Sequence, residues 1–170
     1  MQQQEIIYRP IGVIHSPHTI PSATPIQPVF SKGIRGTVVL EPEYVDGLLD
    51  LEEFSHIFLI YHFHRSPGMK LRLCPYLQDA EHGIFATRAP HRPNPIGFSV
   101  VKLCGIEGNI LTIEDVDILD GTPLLDIKPY AARFDSREDV RSGWQEQVSE
   151  TDAHIRGKRD YQKEKTPGSF

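Results

Sequence analysis

Apolar residues along this chain gather in short runs set off by Gly, Pro and Asp, a spacing that predicts strands rather than helices. Residues 6–16 (IIYRPIGVIHS) read as a strand that Pro17 ends, since proline brings no N–H to a ladder. Residues 18–31 are proline-rich with few apolar pairs and predict a long loop, ordered or ligand-gated. A β-branched strand follows at 36–40 (GTVVL). Between 44 and 54, Val45, Leu48, Leu49, Leu51 and Phe54 fall at near-helical spacing and predict one or two helical turns. Residues 56–64 (HIFLIYHFH) are almost continuously apolar and aromatic, the mark of a central strand. Further extended runs are read at 84–86, 98–103, 109–113 and 116–119, the last stopping at the turn Asp120-Gly121-Thr122-Pro123, and 124–130 begins another. Many short strands with little helix point to an all-β barrel or sandwich.

After Tyr130 the composition turns polar, which divides the chain into a β domain over 1–130 and a C-terminal extension over 131–170. Residues 142–159 are predicted to be a helix, packed through Trp144 and Val148 on the barrel or on a second subunit. The last ten residues are expected to fray. A chain of 170 residues can bury a respectable core unaided. Cys74 and Cys104 make no disulfide framework and lack metal-ligand spacing, which suits a reducing compartment. The opening MQQQEIIYRP is not a signal peptide by pattern, and no apolar run is long enough to span a bilayer. The expectation is a soluble, cytoplasmic protein without membrane contact.

The net charge of −5 argues against non-specific binding to nucleic-acid backbone. Residues 131–170 hold eight acidic and eight basic side chains, so the excess lies in 1–130. A nucleic-acid partner must therefore meet a local basic patch, for which Lys70, Arg72, Arg88 and Arg92 qualify, flanked by His64 and Arg65.

Three constellations can carry chemistry. The stretch 83–99 (GIFATRAPHRPNPIGFS) sets Arg88, His91, Arg92 and Asn94 among Pro90, Pro93 and Pro95. Each proline fixes its own φ and biases the residue before it toward extended geometry, so the loop is stiff before any ligand arrives. It is either a rigid cradle for a polar ligand or a surface connection whose arginines face water. His62 and His64 share a strand face near His56 and are either metal ligands or core and site-lining residues. Asp115, Asp117 and Asp120, with Asp126, are either Mg²⁺ ligands or parts of a hairpin connection, whose exposed N–H groups could receive ligand oxygens. No glycine-rich nucleotide loop is present.

Four segments, IGVIHSP (11–17), FSHIFLIYHFH (54–64), FATRAPHRPNPIGFS (85–99) and DILDGTPLLDIKPY (117–130), resemble the tRNA N6-threonylcarbamoyladenosine methyltransferases. The likeness runs in order from about residue 7 to 130. It implies a small single-sheeted antiparallel β-barrel, S-adenosyl-L-methionine as donor, and a homodimer with the cofactor near the subunit boundary. The implied acceptor is N6 of threonylcarbamoyladenosine beside the anticodon of tRNA. The implied cofactor residues are Ile26, Gln27, Pro28, His64, Arg65, Arg88, Phe98, Leu119, Asp120, Gly121 and Thr122. Ile26 stands where the family often carries Arg, and longer bacterial members have a further C-terminal domain in place of this short tail.

Within that resemblance, Arg88 would clamp the donor's carboxylate, Phe98 would lie against adenine, and Asp120 would accept from ribose hydroxyls. His64, His91 or Asp126 would assist loss of the acceptor proton. Arg92, Asn94, Lys128 and Tyr130 would contact the modified base. Two other classes fit the same residues: a metal-dependent hydrolase using the aspartates with His62 and His64, and a non-catalytic RNA-binding barrel.

Overall fold

The structure, a computed structural model, describes residues 5–158. The expected frayed end and Arg159, the predicted helix terminus, lie outside the described residues. Six strands close a barrel: β1 (Gly12–His15), β2 (Arg35–Leu40), β3 (His56–His62), β6 (Ile96–Glu107), β7 (Ile110–Glu114) and β8 (Thr122–Pro129). Their order around the barrel is β1-β2-β7-β6-β3-β8, with β8 returning to β1 and every pair antiparallel. The all-β expectation holds as a closed, single-sheeted barrel, which leaves no edge strand to protect.

Alternation along β3 explains the core. Ile57, Leu59 and Tyr61 point inward and are buried, as do Val101 and Leu103 of β6 and Leu111 and Ile113 of β7. Gly97 on β6 sits under the rings of Tyr61 and Phe63, where a side chain would collide with both. One polar network is enclosed: Ser99 donates to Asp117 Oδ1 at 2.7 Å and lies 3.1 Å from the Tyr61 hydroxyl. Buried polar groups satisfied in this way fix one arrangement of the core.

Several expected elements take a different form. The first strand shrinks to Gly12–His15; Ile11 still donates to the Leu124 carbonyl and accepts from Glu41 N, but Pro10 before it has no N–H to offer a neighbour. In a closed ring β3 cannot be central; its unbroken apolarity reflects an outer face that is also covered, by Phe98 and Tyr130 around Phe58. Residues 84–86 form a 3₁₀ turn rather than a strand, because Thr87 returns both its N–H and its hydroxyl to the Ile84 carbonyl. Residues 116–118 are buried without being a strand: Val116 donates to the Ile34 carbonyl and Ser16 donates to the Ile118 carbonyl, so they plug the barrel. The turns over 44–54 appear as two 3₁₀ segments, Pro42–Leu48 and Leu51–Glu53.

A short hairpin, β4 (Arg72–Leu73) with β5 (His82–Gly83), stands apart from the barrel. Beyond β8 comes a single helical turn, α1 (Ala132–Asp135). The single helix expected over 142–159 divides at Val148 into a 3₁₀ turn (Gly143–Gln147) and α2 (Glu150–Gly157). Ser149 caps α2 by accepting from Asp152 N at 3.1 Å. Trp144 packs on the hairpin, stacked on His82 with centroids 4.7 Å apart, and donates Nε1 to the Ala86 carbonyl at 2.8 Å. Among the described residues, no helix is long and apolar enough to cross a membrane.

Candidate functional site

The outer face of β3 and β6 floors a cleft of about 1550 Å³. That exceeds the roughly 300–1,000 Å³ usual for one small ligand, so it has room for a cofactor and part of a second substrate. Phe58, Phe98 and Val100 form the floor, with Tyr130 from the end of β8. The loop of Ile26, Gln27 and Pro28 makes one wall; Arg65, Lys70 and Arg72 with Arg88 and His91 make another; Ser142, Trp144 and Val148 close a third.

Arg88 is the chemical centre of this cleft. Its guanidinium lies 4.9 Å from the Phe98 ring centroid, and its Nη1 donates to Gln27 Oε1. Gln27 is itself fixed by donating Nε2 to the Ile26 carbonyl at 2.6 Å. Among the described residues Arg88 meets no carboxylate, so a planar cation with several unused donors faces the opening. Arg65 and Lys70 likewise line the cleft with no acidic partner among the described residues, whereas Arg72 pairs with Glu81 at 3.1 Å.

His91 lines the same cleft, with Nδ1 3.3 Å from the Gly68 carbonyl. A carbonyl only accepts, so this nitrogen carries the proton and Nε2 keeps its lone pair in the neutral ring. Lys70 N–H donates to the His91 carbonyl at 3.1 Å, tying the two cleft segments together.

A second group of implied residues is gathered at the turn over 119–122, which does not line the cleft. Asp120 Oδ1 receives the Ser16 N–H and lies 3.1 Å from His15 Nδ1. The Ser16 N–H, with His15 second among the favourable contacts, holds the Asp120 carboxyl below its ordinary value. The backbone N–H groups of Asp120 and Gly121 donate to the carbonyls of His18 and Ile14. They therefore face inward, and the expectation that they are open to ligand oxygens is corrected. Thr122 donates its hydroxyl to the Leu119 carbonyl at 2.6 Å, which leaves the oxygen to accept from His64 Nδ1 at 3.3 Å. Burial, then the neighbouring Arg65 and His62, lower the His64 pKa, so its ring is neutral at pH 7.

The residues implied for the acceptor are dispersed. Tyr130 is in the cleft, its ring 5.7 Å from Phe58. Lys128 and Asp126 pair at 2.8 Å on the outer face of β8, opposite Phe58 and Ile60. Arg92 turns back on its own loop, donating to the carbonyls of Ile84 (3.1 Å) and Thr87 (2.8 Å). Asn94 is exposed, and its carbonyl accepts from Ile96 N.

The aspartates do not converge. Asp115 accepts from Gly33 N, Asp117 from Ser99, Asp120 from Ser16 N, and Asp126 pairs with Lys128. Among the described residues, no three His, Cys, Asp or Glu side chains are grouped to hold a metal. Sequence reading missed Phe58, a floor residue hidden in a run that looked like core. It singled out Trp144 and Val148 as packing residues of the tail but not as a wall of the cleft.

A six-stranded barrel with a cation-lined external cleft is the class these features define. Residues 13–136 match the family described as the tRNA-methyltransferase O N-terminal domain, and the chain belongs to that family. It is 62% identical over 141 residues to a probable S-adenosyl-L-methionine-binding protein of Pyrococcus abyssi, covering 83% of this chain and 77% of the relative. It is 35% identical over 149 residues to the human tRNA (adenine(37)-N6)-methyltransferase, covering 82% of this chain but only 33% of the human one. The crystal structure of TrmO from Pseudomonas aeruginosa superposes with a TM-score of 0.73 at 41% identity, over 84% of this chain and 63% of that one. The chain thus spans about two thirds of that structure's length and a third of the human relative's.

Proposed function

We propose that this chain is an S-adenosyl-L-methionine-dependent tRNA methyltransferase that methylates N6 of threonylcarbamoyladenosine next to the anticodon, acting in the cytoplasm as a homodimer. The observation that carries the reading is Arg88, an uncompensated guanidinium laid over Phe98 in a cleft large enough for two ligands. Its relatives, one a probable S-adenosyl-L-methionine-binding protein and one a tRNA (adenine(37)-N6)-methyltransferase, supply the same chemistry.

The residues present fit the donor. Arg88 can fork a carboxylate, and Phe98 and Phe58 offer apolar surface to an adenine. When bound, that donor supplies an electrophilic methyl group. Alignment and exclusion of water then contribute most of the acceleration, and the aromatic floor with the Trp144 wall provides both. The acceptor nitrogen is urea-like and must lose a proton. His91 Nε2, inside the cleft, is the group best placed to take it, while the implied His64 stands at the turn. The division of implied cofactor residues between cleft and turn supports the homodimer, since a second copy could bring its turn to this cleft.

The test is transfer from radiolabelled donor to matched tRNAs with and without the threonylcarbamoyl group. Labelling of the modified tRNA alone is expected, because plain adenosine leaves the site's polar contacts unpaired. Equal labelling of both rejects the acceptor. Light scattering checks the assembly: a mass of 19.3 kDa at micromolar concentration would reject the dimer.

A further inference from the structure

Phe85 is an aromatic ring left open on a well-anchored turn. Its side chain is 76% exposed, and the residues on either side of it are hydrogen-bonded to other segments. Ile84 before it is buried and donates its N–H to the Leu71 carbonyl at 2.9 Å. The Ile84 carbonyl collects the Thr87 N–H, the Thr87 hydroxyl and Arg92 Nη1. Ala86 after it accepts from Trp144 Nε1 at 2.8 Å. Arg92 then sets its guanidinium 5.7 Å from the Phe85 ring centroid.

A lone exposed aromatic is ordinary surface unless its surroundings point to a partner. Here the segment alongside exposes both kinds of side chain, Lys70 and an Arg72 paired with Glu81 together with Met69 and Leu71, but the group set against the ring is the Arg92 guanidinium. Residues 82–106 contain no acidic side chain, and Arg88, His91 and Arg92 follow Phe85 within one loop. The chain bearing Lys70 and Arg72 runs alongside through the Ile84–Leu71 hydrogen bond and the pairing of Arg72 with Gly83. A hydrophobic protein partner would want a contiguous apolar patch at this spot. An exposed π-face with the Arg92 guanidinium against it, and Arg88, His91 and Lys70 in the adjoining segments, matches a single-stranded nucleic acid, whose base stacks while its phosphates meet the cations.

We propose that Phe85, backed by Arg92, is a stacking platform for an unpaired base of the RNA substrate, one flanking the base that enters the cleft. Phe85 lies just outside the cleft, whose lining resumes at Thr87 and Arg88. The proposal rests on the reading of the substrate as tRNA. It also gives Arg92 a role that its hydrogen bonds to the loop already suit: holding the platform rather than touching the acceptor.

The test uses the full chain with an anticodon stem–loop RNA that carries the threonylcarbamoyl group and measures binding at fixed salt. Phe85→Ala is expected to weaken RNA binding about 10-fold, with donor affinity, melting temperature and oligomeric mass unchanged. Phe85→Trp should restore affinity, and its emission should be quenched by RNA beyond any change of Trp144 in the parent protein. Parent-like RNA affinity of Phe85→Ala overturns the platform and leaves the tRNA reading standing, as does an unquenched Phe85→Trp. A changed mass for Phe85→Ala reassigns the ring to contact between copies. If the parent chain itself binds no RNA, the substrate reading and the platform fall together.

Discussion

The loop over 87–92 and the turn over 119–122 both carry residues that the family resemblance implies for cofactor binding, yet their bonding is opposite. In the turn nearly every polar group is answered by its own chain: Asp120 by Ser16 and His15, Gly121 N by Ile14, and Thr122 by Leu119 and His64. In the loop, among the described residues, Arg88 is answered only by a neutral amide and a ring, and His91 bonds through one ring nitrogen. The turn is built as a structural joint between β1 and β8, and the loop is built to receive. Preorganisation explains why both are needed: a cation can be left open only if its backbone is held elsewhere.

The largest effect separating the two regions should come from their histidines. His91→Gln is expected to lower kcat about 100-fold with donor affinity retained, as for loss of a general base. His64→Gln should lower it much less. Single-turnover methylation of modified tRNA measures both, and the reverse ranking would move the base to the turn. Next, Arg88→Ala should raise the donor dissociation constant roughly 10- to 100-fold by calorimetry, the loss of a charge-assisted hydrogen bond of about 1.5–3 kcal/mol. Its melting temperature should hold, since Arg88 is exposed. Arg92→Ala should do the converse, lowering the melting point by releasing the Ile84 and Thr87 carbonyls.

The smallest effect belongs to the turn and is read by pH. His64 and Asp120 are both lowered from their ordinary values of 6.5 and 3.8, so the folded chain binds fewer protons than the unfolded one. Their contribution to stability is therefore complete above about pH 6.5. It falls as acid protonates the unfolded His64 first, and falls again below about pH 4 as the solution approaches the folded Asp120 value. Asp120→Asn should shrink the second step, to which Glu114, lowered by its hydrogen bonds to Lys102 and Arg35, also contributes, and cost about 1 kcal/mol or less at neutral pH, because the Asp120 carboxylate is partly open to solvent. Melting curves across pH check the sign; stability rising on acidification would contradict it.

How much of this the sequence disclosed depended on whether a residue's role is local. The apolar runs at 56–64 and 98–103 disclosed strands, but the near-continuous apolarity of 56–64 hid which of its residues face inward, because a strand covered on both sides carries no period of two. The β4–β5 hairpin has two-residue strands, too short for any period. Residues 116–118 were legible as buried, but burial does not dictate extended geometry. Arg88 and Arg92 read alike, four residues apart among prolines; only the fold shows that one guanidinium returns to its own carbonyls while the other faces outward. The splitting of implied cofactor residues between cleft and turn was equally invisible, since a motif records membership and not distance.

The third wall of the cleft comes from the far end of the described chain. Gly157 accepts from Ile26 N at 2.9 Å, and the Phe30 ring occupies the space a side chain at 157 would need. All six barrel strands are complete by Pro129, but the loop holding Gln27 gains this anchor only when residue 157 arrives. During synthesis from the N-terminus the barrel can close while its cleft still lacks a side. A polypeptide halted near residue 140 would thus have the barrel without the finished pocket.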